Sequence, residues 1–152
     1  MDNMHKKKMK KLKEKIDTSI NAANIERGVG ILLTGNGKGK STSAFGMVIR
    51  SLGYNYKVGV IQFIKGQQLS GEEIYLRDKC PHVTFYQMNT GFTWETQDRS
   101  IDISAAEKAW SKAEKILQDE DYHLVVLDEL TYMLSFKYLD EDKIIDSLKN
   151  RP

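Results

Sequence analysis

The chain has 152 residues, 40% of them hydrophobic and 29% charged, enough for one globular domain with an ordinary core. No apolar run nears the roughly 20 residues that cross a bilayer, and a lone cysteine, Cys80, permits neither an internal disulfide nor a cysteine-based zinc site. The basic N-terminus lacks the apolar stretch and small-residue cleavage site of a secretory signal, so a reducing, cytoplasmic address is expected.

The net charge of +2 is unevenly spread. Residues 1–20 carry +4, from seven lysines against Asp2, Glu14 and Asp17, so the remaining 132 residues carry −2. Residues 1–20 also contain no aromatic side chain. Nucleic-acid binding calls for a basic face mixed with aromatic or base-reading residues, and this leader does not supply one. Met9, Leu12, Ile16 and Ile20 recur at helical intervals and form a narrow apolar stripe. Two readings stand for residues 1–26: a solvated, lysine-rich helix or leader, or a helix that docks on this domain or on a second subunit.

Beyond a polar hinge, residues 27–152 alternate strand-like and helix-like patterns. Gly30-Ile31-Leu32-Leu33-Thr34 predicts a buried strand. Ser41 to Leu52 has apolar residues at helical spacing, with Gly53 placed as a C-cap. Val58 to Phe63 predicts a second strand, Glu72 to Asp78 a short helix, and Val83 to Met88 a third strand. Residues 89–101 carry no periodicity. Ser104 and Glu107 then form a capping-box signature for a helix to about Gln118. Tyr122 to Leu127 predicts a fourth strand, and Asp140 to Lys149 a last helix. This alternation predicts an α/β fold of three layers, with a parallel sheet covered on both faces.

Thr34-Gly35-Asn36-Gly37-Lys38-Gly39-Lys40-Ser41 lies between a predicted strand and a predicted helix, the setting a phosphate-binding loop requires. Glycines let the backbone curl so that successive N–H groups face one anion, and the helix N-terminus adds positive potential. Lys40 would reach phosphate oxygens and the Ser41 hydroxyl would ligate Mg²⁺. The strict pattern Gly-x4-Gly-Lys-[Ser/Thr] is missed by one residue, since Thr34 stands at its first glycine and Gly35 is adjacent. Asp128 and Glu129 end the fourth predicted strand at the edge where open α/β sheets bind ligands. They would serve the Mg²⁺ of a nucleotide, or Asp128 would simply cap a helix. The histidines His5, His82 and His123 are scattered, and each reads as a surface or structural residue.

Phe92 and Trp94, in Thr90-Gly91-Phe92-Thr93-Trp94-Glu95, would either plug the core or wall a site against which a flat ligand stacks. With Thr-Gly-Asn-Gly-Lys-Gly-Lys-Ser at 34–41, Gln-Phe-Ile-Lys-Gly at 62–66 and Val-Val-Leu-Asp-Glu-Leu-Thr-Tyr at 125–132, this segment makes the chain resemble the ATP:cob(I)alamin adenosyltransferases of the CobA/BtuR/CobO type, from about Arg27 to Pro152. The resemblance implies a P-loop NTPase fold of the RecA-like kind with a mostly parallel sheet. It also implies adenosyl transfer from ATP to Co(I) of a reduced corrinoid, with release of triphosphate.

Carried over residue by residue, Asn36, Gly37, Lys38, Gly39, Lys40, Ser41 and Thr42 would hold ATP, and Ser41, Asp128 and Glu129 would serve Mg²⁺ (or Mn²⁺). Phe92 and Trp94 would face the corrinoid, helping to keep its lower axial position empty, and Lys40, Phe92, Trp94 and Glu129 would be the catalytic set. The resemblance further implies a homodimer, an N-terminal segment that folds over the partner's active site, and an electron-donor protein such as a flavodoxin. Family members continue past Arg151-Pro152 with another strand and a tail, so the sheet is expected to lack its next strand here. A RecA-like ATPase, with Glu129 polarising water, and an inactive nucleotide- or corrinoid-binding fragment are the competing readings.

Overall fold

The computed structural model describes residues 2–25, 27–37, 39–64, 69–88 and 98–152. The chain divides into two compact units, Met1–Ile31 and Leu32–Pro152. The first holds helix α1, Asp2–Ala22, whose seven lysines favour helix. Met9, Leu12, Ile16 and Ile20 are exposed along it.

The second unit contains helix α2 (Lys40–Gly53), strand β1 (Lys57–Gln62), helix α3 (Gly71–Lys79) and strand β2 (Val83–Gln87). Helix α4 (Arg99–Leu117), strand β3 (Tyr122–Asp128) and helices α5 (Leu130–Ser135) and α6 (Glu141–Lys149) complete it. The sheet runs in the order β2-β1-β3, and both pairings are parallel, with Gln62 opposite Gln87 on one side and Asp128 on the other. The α/β class and the parallel sheet agree with the expectation from sequence.

Side chains alternate across a strand, and β1 with the following Phe63 divides accordingly. Val58 and Val60 join Phe45 and Val48 of α2, Leu76 of α3 and Val126 in one apolar cluster. Ile61 and Phe63 join Trp110 and Ile116 of α4, Met133 of α5 and Ile144 of α6 in the other. Each large apolar side chain fully buried in these clusters stabilises the fold by roughly 1.5–3 kcal/mol. Helix α4 meets the sheet through Ala106, Ala109 and Ala113, a helical face of small residues that allows a close approach. Gly59 completes that fit: a Cβ there would lie 2.7 Å from Ile116 Cγ2.

Three expectations are corrected. Residues 30–34 are not a strand, and Ile31, Leu32 and Leu33 are exposed. An apolar run becomes a strand only when a neighbour completes its backbone hydrogen bonds, and none does so among the described residues. Helix α4 begins at Arg99, because the Asp98 carboxylate accepts the Ser100 N–H at 2.9 Å and starts the helix; Ser104 therefore lies inside it. Gly53 is the last residue of α2, with Tyr54 as the cap.

Candidate phosphate-loop site

Helix α2 starts without a side-chain cap, at Gly39, whose φ of 78° is left-handed. Gly35 (φ 106°) and Gly37 (φ 63°) also adopt positive φ, the region where only glycine is free of a Cβ penalty. Helices α3, α4 and α6 are each capped by a side chain, from Ser70, Asp98 and Asp140. The first turn of α2 also carries no acidic residue. Its first N–H groups are thus left for an external acceptor, and the helix dipole favours an anion there.

Lys40 folds back over this loop. Its Nζ donates to the Gly35 carbonyl at 2.6 Å and to the Gly37 carbonyl at 3.4 Å, so the ammonium lies above the glycine turn, where a phosphate would meet it. Asn36 and Gly37 lie in that turn, and Gly39, Lys40, Ser41 and Thr42 lead into α2. Lys38 lies outside the described residues.

The carboxyl ends of β1 and β3 converge on the same helix. Leu124 and Val126 of β3 pack in the cluster shared with α2 and α3, and strand alternation carries Asp128 to that same face. The Ser41 hydroxyl donates to Asp128 Oδ1 at 3.2 Å. On the other oxygen, Gln62 Nε2 donates to Asp128 Oδ2 at 2.9 Å. The top of the sheet is tied further by Phe63 N–H to the Asp128 carbonyl (3.0 Å) and Met88 N–H to the Gln62 carbonyl (2.9 Å).

Glu129 follows at φ 60°, left-handed for a non-glycine residue, a conformation costing on the order of 1–2 kcal/mol. Burial raises its carboxyl above the ordinary range, repulsion from Asp128 adds to the rise, and attraction to Lys40 opposes it. The electrostatic coupling groups Lys40, Asp128 and Glu129 into one charge cluster. A serine hydroxyl paired with a carboxylate is a hard-oxygen donor set, which suits Mg²⁺ or Mn²⁺ together with phosphate oxygens and water. The residues present therefore fit the cation of a nucleotide.

Phe92 and Trp94, expected as the apolar wall, lie outside the described residues, as do Lys65 and Gly66 of the Gln-Phe-Ile-Lys-Gly segment. The residue that sequence reasoning left without a role is Gln62. Its signal was present: a polar side chain ending an otherwise apolar strand, at the sheet edge where Asp128 also stands.

The comparisons with known proteins agree with this geometry. The family model for the ATP:corrinoid adenosyltransferases BtuR/CobO/CobP matches residues 26–152. The corrinoid adenosyltransferase of Pseudomonas aeruginosa is 49% identical over 151 residues, 99% of this chain and 74% of that protein. Its Escherichia coli K12 counterpart is 44% identical over 152 residues, 99% of this chain and 76% of that protein. The corrinoid adenosyltransferase CobA of Salmonella typhimurium is likewise 44% identical, with the same shares covered. With the whole second unit matched and the phosphate loop, Asp128 and Glu129 assembled at one sheet edge, the chain belongs to the ATP:corrinoid adenosyltransferase family.

Proposed function

We propose that this chain transfers the 5′-deoxyadenosyl group of ATP to the Co(I) centre of a reduced corrinoid. The cobalt electron pair forms the bond to C5′, the C5′–O bond breaks, and its electron pair departs with the intact triphosphate. The observation that carries this reading is the meeting of the Ser41 hydroxyl and the Asp128 carboxylate beside an uncapped, glycine-rich helix start, in a chain of this family.

In this reading each residue has a distinct task. The loop from Asn36 to Thr42 binds the triphosphate through backbone N–H groups. Lys40 exchanges its loop carbonyls for phosphate oxygens and offsets charge that gathers on the leaving group, an electrostatic contribution that is often the largest in catalysis. Ser41 and Asp128, with Glu129 adjacent, would hold Mg²⁺, which when bound neutralises phosphate charge. No protein nucleophile is needed, because the attacking atom belongs to the corrinoid. Phe92 and Trp94 would line the corrinoid side and exclude water from the lower axial position. A homodimer, an electron donor of the flavodoxin type and a covering role for the segment 1–26 complete the proposal.

Incubation with ATP, Mg²⁺ and chemically reduced cobalamin tests it. The expected products are adenosylcobalamin, followed by its absorption spectrum, and triphosphate. ADP and phosphate in their place would identify a hydrolase.

A further inference from the structure

Gln62 is 3% exposed and is the one polar side chain among the residues of β1 that follow Lys57. Burying an amide costs free energy unless its hydrogen bonds are met, so an apolar residue would serve packing better. Its strand position explains what it does instead. Gln62 and Asp128 are register partners at the carboxyl ends of neighbouring parallel strands, and strand alternation turns both toward the start of α2. Asp128 as a carboxylate only accepts, so the amide presents its NH₂ group to Oδ2 at 2.9 Å. Oδ1 is left turned toward Ser41 Oγ at 3.2 Å.

Two donors on opposite oxygens set the rotation of the carboxylate. A lysine or arginine in place of Gln62 would also orient it, but would cancel the charge a cation needs. A neutral amide orients the group and leaves its charge in place. We propose that Gln62 is a positioning residue for the cation-binding pair, fixing Asp128 so that Oδ1 and the Ser41 hydroxyl face the Mg²⁺ of the bound nucleotide together. This rests on the reading of Ser41 and Asp128 as cation donors given above.

The test is ATP binding by calorimetry, on the full chain, at a series of Mg²⁺ concentrations and in EDTA. Gln62→Met keeps the length and removes the donor; Gln62→Leu is a parallel apolar variant. Both should raise the half-saturating Mg²⁺ concentration about tenfold, the order expected from one lost hydrogen bond to a charged group. Affinity for ATP in EDTA should stay within about twofold, as should the KM for corrinoid. In an Asp128→Asn background, Gln62→Met should add less than about twofold, because the two residues act through one interaction.

An unchanged Mg²⁺ requirement in the Gln62 variants would overturn the positioning role. So would equal weakening with and without Mg²⁺, or failure of both variants to show a native melting transition, since either marks a purely structural residue. If ATP binding by the unaltered chain does not depend on Mg²⁺, the reading of Ser41 and Asp128 itself falls.

Discussion

Ser41 and Asp128 stand 87 positions apart in the chain, and their side chains meet at 3.2 Å. One lies in the first turn of the helix that follows the glycine loop; the other ends β3. In the function proposed above, the contact joins the anion-binding loop to the cation-binding carboxylate. Ser41→Thr should therefore keep Mg²⁺-dependent ATP binding, because the hydroxyl remains. Ser41→Ala should raise the Mg²⁺ requirement by roughly tenfold or more, the scale of one hydrogen bond to a charged group. Calorimetric titration of ATP at graded Mg²⁺ distinguishes the two.

Lys40 is held by its own loop carbonyls at 2.6 and 3.4 Å, so its removal takes away the ammonium that stands above the glycine turn. Lys40→Ala should weaken ATP by about a hundredfold, the upper range for a charge-assisted contact. Equilibrium binding of ATP measures this, and a melting curve within a few degrees of the unaltered chain would show that the fold survives.

Phe92→Ala and Trp94→Ala separate an apolar wall from a core plug. If these aromatics face the corrinoid, adenosylation should fall about tenfold, as for the loss of a stacked aromatic contact of about 0.5–1.5 kcal/mol beyond its area. ATP affinity should hold within about twofold on the same scale. Loss of the native melting transition in both variants would assign them to the core.

Gly59 lies where a side chain cannot. Its added Cβ would stand 2.7 Å from Ile116 Cγ2 and 3.4 Å from Tyr122 Cδ1. Gly59→Ala should destabilise the domain by about 1–3 kcal/mol, as overpacked cores do. Denaturant unfolding should register this as a lower midpoint with an unchanged slope.

Two carboxylates carry a pH signature. Asp98 is held below the ordinary carboxylate range by the Ser100 hydroxyl and N–H, and Asp119 by the Asp121 N–H and by Lys57. A depressed folded pKa contributes stability above the unfolded value and loses it as pH falls through the folded one. The melting temperature should therefore drop on acidification below the usual carboxylate range. The gap between the unaltered chain and Asp98→Ala should be widest near neutral pH and close in acid.

Most strands and helices were legible because their signals are local. The apolar run at 58–63 and the spacing of Phe45 and Val48 are readable from neighbours, and so are the glycines Gly35, Gly37 and Gly39 with their positive φ. The start of α4 differs from the sequence expectation because Ser104 and Glu107 imitate a cap, while Asp98 supplies the real one and the helix begins at Arg99. Residues 30–34 differ from the sequence expectation for another reason: hydrophobicity predicts burial, whereas a strand needs a partner's backbone.

The glycine-rich loop, the acidic strand end and the family are legible from residues alone, because glycine spacing and residue chemistry are written in adjacent positions. That β1 lies between β2 and β3, so that Gln62 and Ser41 share the Asp128 carboxylate, emerges from the folded chain. Strand order is set by long-range hydrogen bonding and by two-sided packing of helices. No local pattern states which strand will stand beside which, and the orientation of Asp128 depends on that choice.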